Sequence, residues 1–158
     1  MAQESESPPS FCTRLSGYLR DSPFFCKIIE LIFCVISLGL IIDPINNGRN
    51  MMTDNNSKGL VYLALCAYIM INGIVIGCYL CGEKMVKNMA MCFTTLGAFL
   101  SFGAGIVILR DYVVYDRNTL GPKVDQYLDQ MLASGIFAIF ASVVFIVDIY
   151  LTNKYEES

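Results

Sequence analysis

Residues 24–42 read FFCKIIELIFCVISLGLII, and this stretch decides the fold. It contains only two charged side chains, Lys27 and Glu30, both in its first half. As a helix it would be about 28 Å long, close to the ~30 Å thickness of the hydrocarbon core of a bilayer. A surface helix of a soluble domain would carry a polar stripe along its length, and this stretch has none. It therefore predicts a membrane-spanning helix.

Three further apolar blocks of similar length follow, at about residues 60–80, 89–109 and 131–151. The first two carry no charged side chain, and the third carries only Asp148, near its end. Charged residues make up 16% of the chain, against about 25% in soluble domains. Four such helices in a soluble protein would leave too little polar surface. We therefore predict an all-α fold, an integral membrane four-helix bundle that is M-shaped.

The spans divide the chain into an N-terminal segment (1–22), a four-span domain (23–151) and a tail (152–158). The N-terminal segment is polar and mixed in charge, which is not the pattern of a cleaved signal peptide. Four of its apolar residues have the spacing of a short amphipathic helix on a membrane surface, and a disordered tail is the alternative. These residues are Phe11, Leu15, Tyr18 and Leu19.

Cysteine positions indicate the orientation. An even number of spans places both termini on one side of the membrane. Five of the seven cysteines lie at that side, namely Cys12, Cys26, Cys78, Cys81 and Cys92, and the two opposite loops (43–59 and 110–130) contain none. Free thiols belong in a reducing compartment. A glycosylation sequon at Asn55 lies in the first cysteine-free loop, where a glycan requires the lumenal side. We therefore expect cytosolic termini, with Asn55 as a candidate glycosylation site.

The same five cysteines are candidate lipidation sites, because cysteines close to the membrane and beside lysines are the usual setting for S-palmitoylation. The alternative for Cys78 and Cys81 is a redox pair, as in membrane thiol oxidoreductases of the vitamin K epoxide reductase group. Those enzymes relay electrons through further lumenal cysteines, which are absent here. A zinc site is disfavoured because the chain has no histidine and structural zinc needs four ligands. Small apolar filler is the remaining interpretation.

Lys27, Glu30 and Asp148 are ionisable groups inside predicted spans, which makes them functional candidates. Lys27 and Glu30 are three residues apart and can pair on one helix face, and Lys27 and Asp148 can pair between helices. We predict an intramembrane charge clasp, with a proton or ion path as the alternative. Near the midplane only Asn72 and a few hydroxyl groups are polar, which is a poor transport path.

Small residues recur at a spacing of four along three spans, which favours close helix packing in lipid. These helix-packing candidates are Gly73, Gly77, Gly97, Ser101, Gly105, Ser134, Ala138 and Ser142. Packing within the bundle is the first interpretation. Self-association through a free face is the alternative, and for that role we favour the third span.

The first span opens with a basic residue, then an acid three positions later and an aliphatic–aromatic run. The positions that carry this pattern are Lys27, Glu30, Leu31 and Phe33. It resembles the opening of the MARVEL family of four-span proteins, which includes MAL, plasmolipin, synaptophysin relatives and occludin. The last span, with small residues first and a late Asp148, is also similar to that family's final helix.

The resemblance implies a non-catalytic protein that organises membrane apposition, vesicle trafficking, cell junctions or cell–cell fusion such as myoblast fusion. It implies the plasma membrane or vesicles as the location, and a lipid bilayer, cholesterol-rich membranes included, as the surroundings. Partners would be other membrane proteins or a second copy of the chain. We expect no enzyme activity, cofactor, metal or nucleic acid. The alternatives are a thiol oxidoreductase using Cys78 and Cys81, and a small channel or transporter subunit.

Overall fold

A computed structural model describes residues 22–47, 52, 54–82, 86–114 and 122–155. It contains four long helices: α1 (Ser22–Asn47), α2 (Asn55–Cys81), α3 (Lys87–Val114) and α4 (Pro122–Tyr155). All four are long and apolar enough to cross a membrane. Within the described residues, the prediction of an all-α fold with four long apolar helices is confirmed, and it indicates a multi-pass membrane protein. The predicted N-terminal amphipathic helix and Cys12 lie outside the described residues.

At the end of the molecule opposite the two termini, each helix extends beyond its predicted apolar block. α1 continues through Pro44 to Asn47, and α2 begins at Asn55, five residues before the predicted span. Hydropathy detects only the part of a helix that lies in lipid, whereas backbone hydrogen bonds continue for as long as residues permit a helix. Pro44 lacks the N–H that would bond to the carbonyl oxygen four residues earlier, and α1 ends three residues after it. α4 begins at Pro122, nine residues before the predicted span, because the fixed φ and missing N–H of proline suit the first helical position.

Gly82 ends α2 and forms the turn toward α3. Its φ angle of 89° lies in the left-handed region, and its N–H donates to the carbonyl oxygen of Tyr79 at 3.0 Å. Residues with a Cβ rarely adopt this conformation, so glycine is favoured after the last helical residue, Cys81.

The helices form a ring in chain order, because α1 packs against α2 and α4, and α3 packs against the same two helices. The bundle therefore has a terminus-side end, where α1 begins and α4 ends, and an opposite end. A buried apolar core fills the opposite end, and a smaller one of Cys34, Tyr68, Ala141 and Phe145 lies nearer the terminus-side end. Large apolar side chains such as Leu63 cover the outside. A lipid environment accounts for this exposed apolar surface.

Candidate functional site: a buried charge cluster

The ammonium group of Lys27 joins α1 to α3 and α4. Its Nζ lies 3.0 Å from Glu30 Oε2, 2.8 Å from Asp148 Oδ2 and 2.8 Å from Thr94 Oγ1. Both ion pairs expected from the sequence are therefore present. Thr94 was not anticipated, because nothing in an apolar run distinguishes a threonine that faces a charge from one that faces lipid. We call Lys27, Glu30, Thr94 and Asp148 the charge cluster.

Helix geometry places these four groups together. Lys27 and Glu30 are three residues apart, so both point from the same face of α1. Asp148 is near the C-terminal end of α4, beside the start of α1 because the two helices are antiparallel. The hydroxyl of Thr94 also donates to the carbonyl oxygen of Ala90 one turn earlier, at 2.8 Å. This bond turns the hydroxyl's lone pairs toward Lys27.

The two carboxylates are not equally satisfied. Asp148 accepts at both oxygens, since Oδ1 also lies 3.4 Å from the hydroxyl of Thr152. Glu30 accepts from Lys27 at Oε2, but its Oε1 is buried with no hydrogen-bond partner among the described residues. The amide of Asn72, on α2, lies near the Glu30 carboxyl group, and its Nδ2 is also buried without a hydrogen bond to any described group.

The cluster is closed off from the surroundings. Glu30 is 0% exposed and Asp148 1%. The ring of Phe145 covers Lys27, with Nζ 5.5 Å from the ring centroid, and Tyr68 packs edge-on against Phe145 at 5.4 Å. A cavity of about 10 Å³ adjoins Lys27 and Asn72, about the smallest space that holds one water molecule.

The arrangement is chemically suited to holding helices together. A charge inside the bundle is costly unless it is paired, and here each charged group has an opposite charge within 3.0 Å. Among the described residues no group of three or more His, Cys, Asp or Glu side chains could hold a metal ion. Lys27 Nζ itself lies between the two carboxylates.

The candidate lipidation cysteines differ in access. Cys81 and Cys92 are exposed and Cys78 is half-buried, all at the terminus-side end. Cys26 is buried beside the charge cluster, so this placement departs from the expectation that its thiol is available. Asn55, the candidate glycosylation site, is exposed in the first turn of α2.

Two hydroxyl groups of the small-residue pattern, those of Ser134 and Ser142, bond inside the bundle, whereas the Ser101 hydroxyl is buried with no hydrogen-bond partner among the described residues. The Ser134 hydroxyl donates to the Ser37 carbonyl oxygen at 2.8 Å, and the Ser37 hydroxyl donates to the Ser134 carbonyl oxygen at 2.9 Å. This reciprocal pair joins α1 to α4. Ser142 donates to the carbonyl oxygen of Ile139 at 2.7 Å, and Ala138 and Ser101 are fully buried. The sequence alone does not single out Ser37, because its hydrogen-bond partner Ser134 lies 97 positions further along the chain.

The glycines of the pattern fall into two groups. A Cβ built on Gly97 would lie 2.7 Å from the ring of Tyr68, and one on Gly105 would lie 2.8 Å from Ile139, so these α3 glycines allow close packing. Gly73 and Gly77 on α2 have nothing within 4 Å of a Cβ. The open glycine pair is therefore on α2, which departs from our expectation that the third span carries the free face.

No protein-family model, curated protein or solved structure matches the chain.

Proposed function

We propose that the chain is a non-catalytic multi-pass membrane protein that organises the membrane containing it. The processes it would serve are membrane apposition, vesicle trafficking, cell junctions or cell–cell fusion, in the plasma membrane or in vesicles. The observation that carries the proposal is the use of the buried polar groups. The charge cluster and the Ser37–Ser134 pair both join helices of the same bundle.

Because the charge cluster and the Ser37–Ser134 pair are engaged within the bundle, we propose that the protein acts through its outer surface. Hydrophobic burial gives little drive for association in lipid, so proteins associate where small residues allow two backbones to approach closely. Gly73 and Gly77 form such a Gly-x-x-x-Gly pair, and a Cβ built on either would meet nothing within 4 Å among the described residues. We propose that this face of α2 meets the same face of a second copy, since a two-fold contact makes a surface its own partner.

The MARVEL resemblance supports the same role. Two of the positions that carry it, Lys27 and Glu30, are also members of the charge cluster. A need to pair the start of α1 with the end of α4 would account for the shared pattern. That pattern is a basic residue, an acid three positions later and an aspartate late in the last span. We therefore propose that the chain is a MARVEL-like organiser with cytosolic termini.

The test is self-association in liposomes. Full-length copies that carry donor or acceptor fluorescent proteins at the C-terminus are reconstituted together, and energy transfer is followed as protein is diluted with lipid. We expect the G73I/G77I variant to need about tenfold more protein per lipid for half-maximal transfer, because filling a close contact typically costs about 1–3 kcal/mol. The matched control is G39I, since Gly39 on α1 is also exposed and open.

A second measurement concerns membrane apposition itself. Light scattering of liposomes that contain the unlabelled chain reports whether they cluster, and G73I/G77I and G39I are compared at equal protein density. Clustering by the wild type and G39I, with loss in the double variant, would support the organiser. Equal energy transfer in all three proteins together with no clustering would refute it.

A further inference from the structure

The charge cluster has one positive and two negative groups, so with all three ionised it carries a net charge of −1 in an apolar interior. Lys27 cannot compensate for the excess, because an ammonium group has only three N–H donors. All three are used, by Glu30 Oε2, Asp148 Oδ2 and Thr94 Oγ1.

The excess charge can be assigned to one oxygen atom. Asp148 accepts hydrogen bonds at both oxygens, whereas Glu30 Oε1 is buried with no hydrogen-bond partner among the described groups. A buried carboxylate oxygen without a donor is costly, and a bound proton removes both the charge and the unsatisfied acceptor.

We propose that the charge cluster is a proton-binding site, and that the folded chain at neutral pH holds one proton on Glu30 Oε1. The neighbouring amide of Asn72 supplies the acceptor for the resulting O–H. The oxygen and nitrogen of an Asn amide exchange places by a half-turn, so Asn72 can present its carbonyl oxygen to the proton.

The other groups around Glu30 leave this assignment intact. The titratable groups that interact with it come from three helices: Lys27 and Cys34 on α1, Tyr68 on α2 and Asp148 on α4. Cys26 on α1 lies beside the same charges. Lys27 is already shared between two carboxylates, and α3 contributes the uncharged Thr94. Tyr68 donates its hydroxyl to the carbonyl oxygen of Phe93. No second cation reaches Glu30 among the described residues.

A proton bound only by the folded chain makes the free energy of unfolding depend on pH, and the direction of that dependence can be derived. Between about pH 5.5 and 7.5 an unfolded chain has lost the Glu30 proton, since an exposed glutamic acid titrates near pH 4.3. The folded chain then binds one proton more than the unfolded chain, so raising the pH destabilises it. One proton corresponds to an approximately tenfold rise in the unfolding constant for each pH unit. No histidine titrates in this pH range, because the chain contains none.

The experiment measures unfolding of the full chain in mixed micelles at about pH 5.5, 6.5 and 7.5, by the far-ultraviolet circular dichroism of its helices. We expect the wild type to follow the tenfold slope and E30Q, whose amide imitates a protonated carboxyl, to show none. The control D43N removes an exposed carboxylate from the same helix and should keep the wild-type slope. A flat wild-type profile, or an equal slope in E30Q, overturns the proposal.

Infrared spectroscopy of the wild type gives a second test that needs no folded variant. A protonated carboxyl group shows a carbonyl stretch distinct from that of a carboxylate. We expect this band in the folded protein at neutral pH, shifted when glutamate is labelled with ¹³C at its side-chain carboxyl. Absence of the band overturns the site, and a shift only with labelled aspartate overturns the assignment to Glu30.

Discussion

Replacing Gly97 by alanine tests the packing of three helices with a single methyl group. The added Cβ would lie 2.7 Å from Tyr68 Cε1 and 2.8 Å from Phe145 Cε1. Carbon atoms pack best at about 3.5–4.0 Å, so each ring would have to move by about 1 Å. Neither ring moves freely, because Tyr68 is held by its hydrogen bond to the Phe93 carbonyl oxygen and Phe145 packs against Tyr68.

The magnitude follows from two opposing terms. Overpacking typically costs about 1–3 kcal/mol, whereas alanine in place of a helical glycine contributes about 0.5–1 kcal/mol of stability. G97A should therefore destabilise the bundle by roughly 0–2.5 kcal/mol. The same change at Gly73, where a Cβ meets nothing within 4 Å in a single copy, should stabilise the monomer by about 0.5–1 kcal/mol when the protein is too dilute in detergent to self-associate.

The comparison of G97A with G73A removes the helix-propensity term, because both residues lie inside long helices. The two variants should differ by about 1–3 kcal/mol, which is roughly 5–150-fold in the unfolding constant. Unfolding is induced by raising the fraction of sodium dodecyl sulfate in mixed micelles, and helix content is followed by circular dichroism. If G97A unfolds at the same or a higher detergent fraction than G73A, Tyr68 and Phe145 do not enclose Gly97 and the described packing is wrong.

Two further predictions use neighbouring residues as matched pairs. T94V should cost about 1.5–3 kcal/mol in the same unfolding assay, because it removes an acceptor of the Lys27 ammonium. The control T95V changes an exposed residue and should alter stability by at most about 0.5 kcal/mol. Equal effects of the two variants would argue against the charge cluster. If the chain is acylated in cells, hydroxylamine should release thiols that a mass-tag gel shift detects. We expect C81S to reduce this shift and C26S to leave it unchanged, since Cys81 is exposed and Cys26 is buried. A shift that instead requires a reductant would indicate a disulfide and favour the oxidoreductase alternative.

The number and location of the helices could be predicted from the sequence because a bilayer imposes one simple requirement. A span needs about 20 apolar residues, and long uncharged runs are visible without knowledge of any contact. The helix ends depend on different physics. α1 passes through Pro44, and α2 ends where Gly82 adopts a left-handed conformation, so backbone geometry sets these positions and hydropathy does not report them.

The candidate site was predictable only where charge made it so. Lys27, Glu30 and Asp148 could be paired because a charged group in a span must find an opposite charge nearby. Neutral groups obey a weaker rule, since the hydroxyl of Thr94 can bond to its own helix and does so at Ala90. Its second role, as an acceptor for Lys27, depends on how α3 is rotated, and the sequence of α3 alone carries no record of that rotation.

The glycines show why a repeated pattern does not reveal its partner. Gly73 and Gly77 on α2 have the same spacing of four that brings α3 close to its neighbours, yet nothing approaches them within the described chain. A close contact needs two surfaces, and a sequence motif specifies only one of them. The face of α2 is thus the part of the bundle whose partner the fold itself leaves open, and self-association is the first place to look for it.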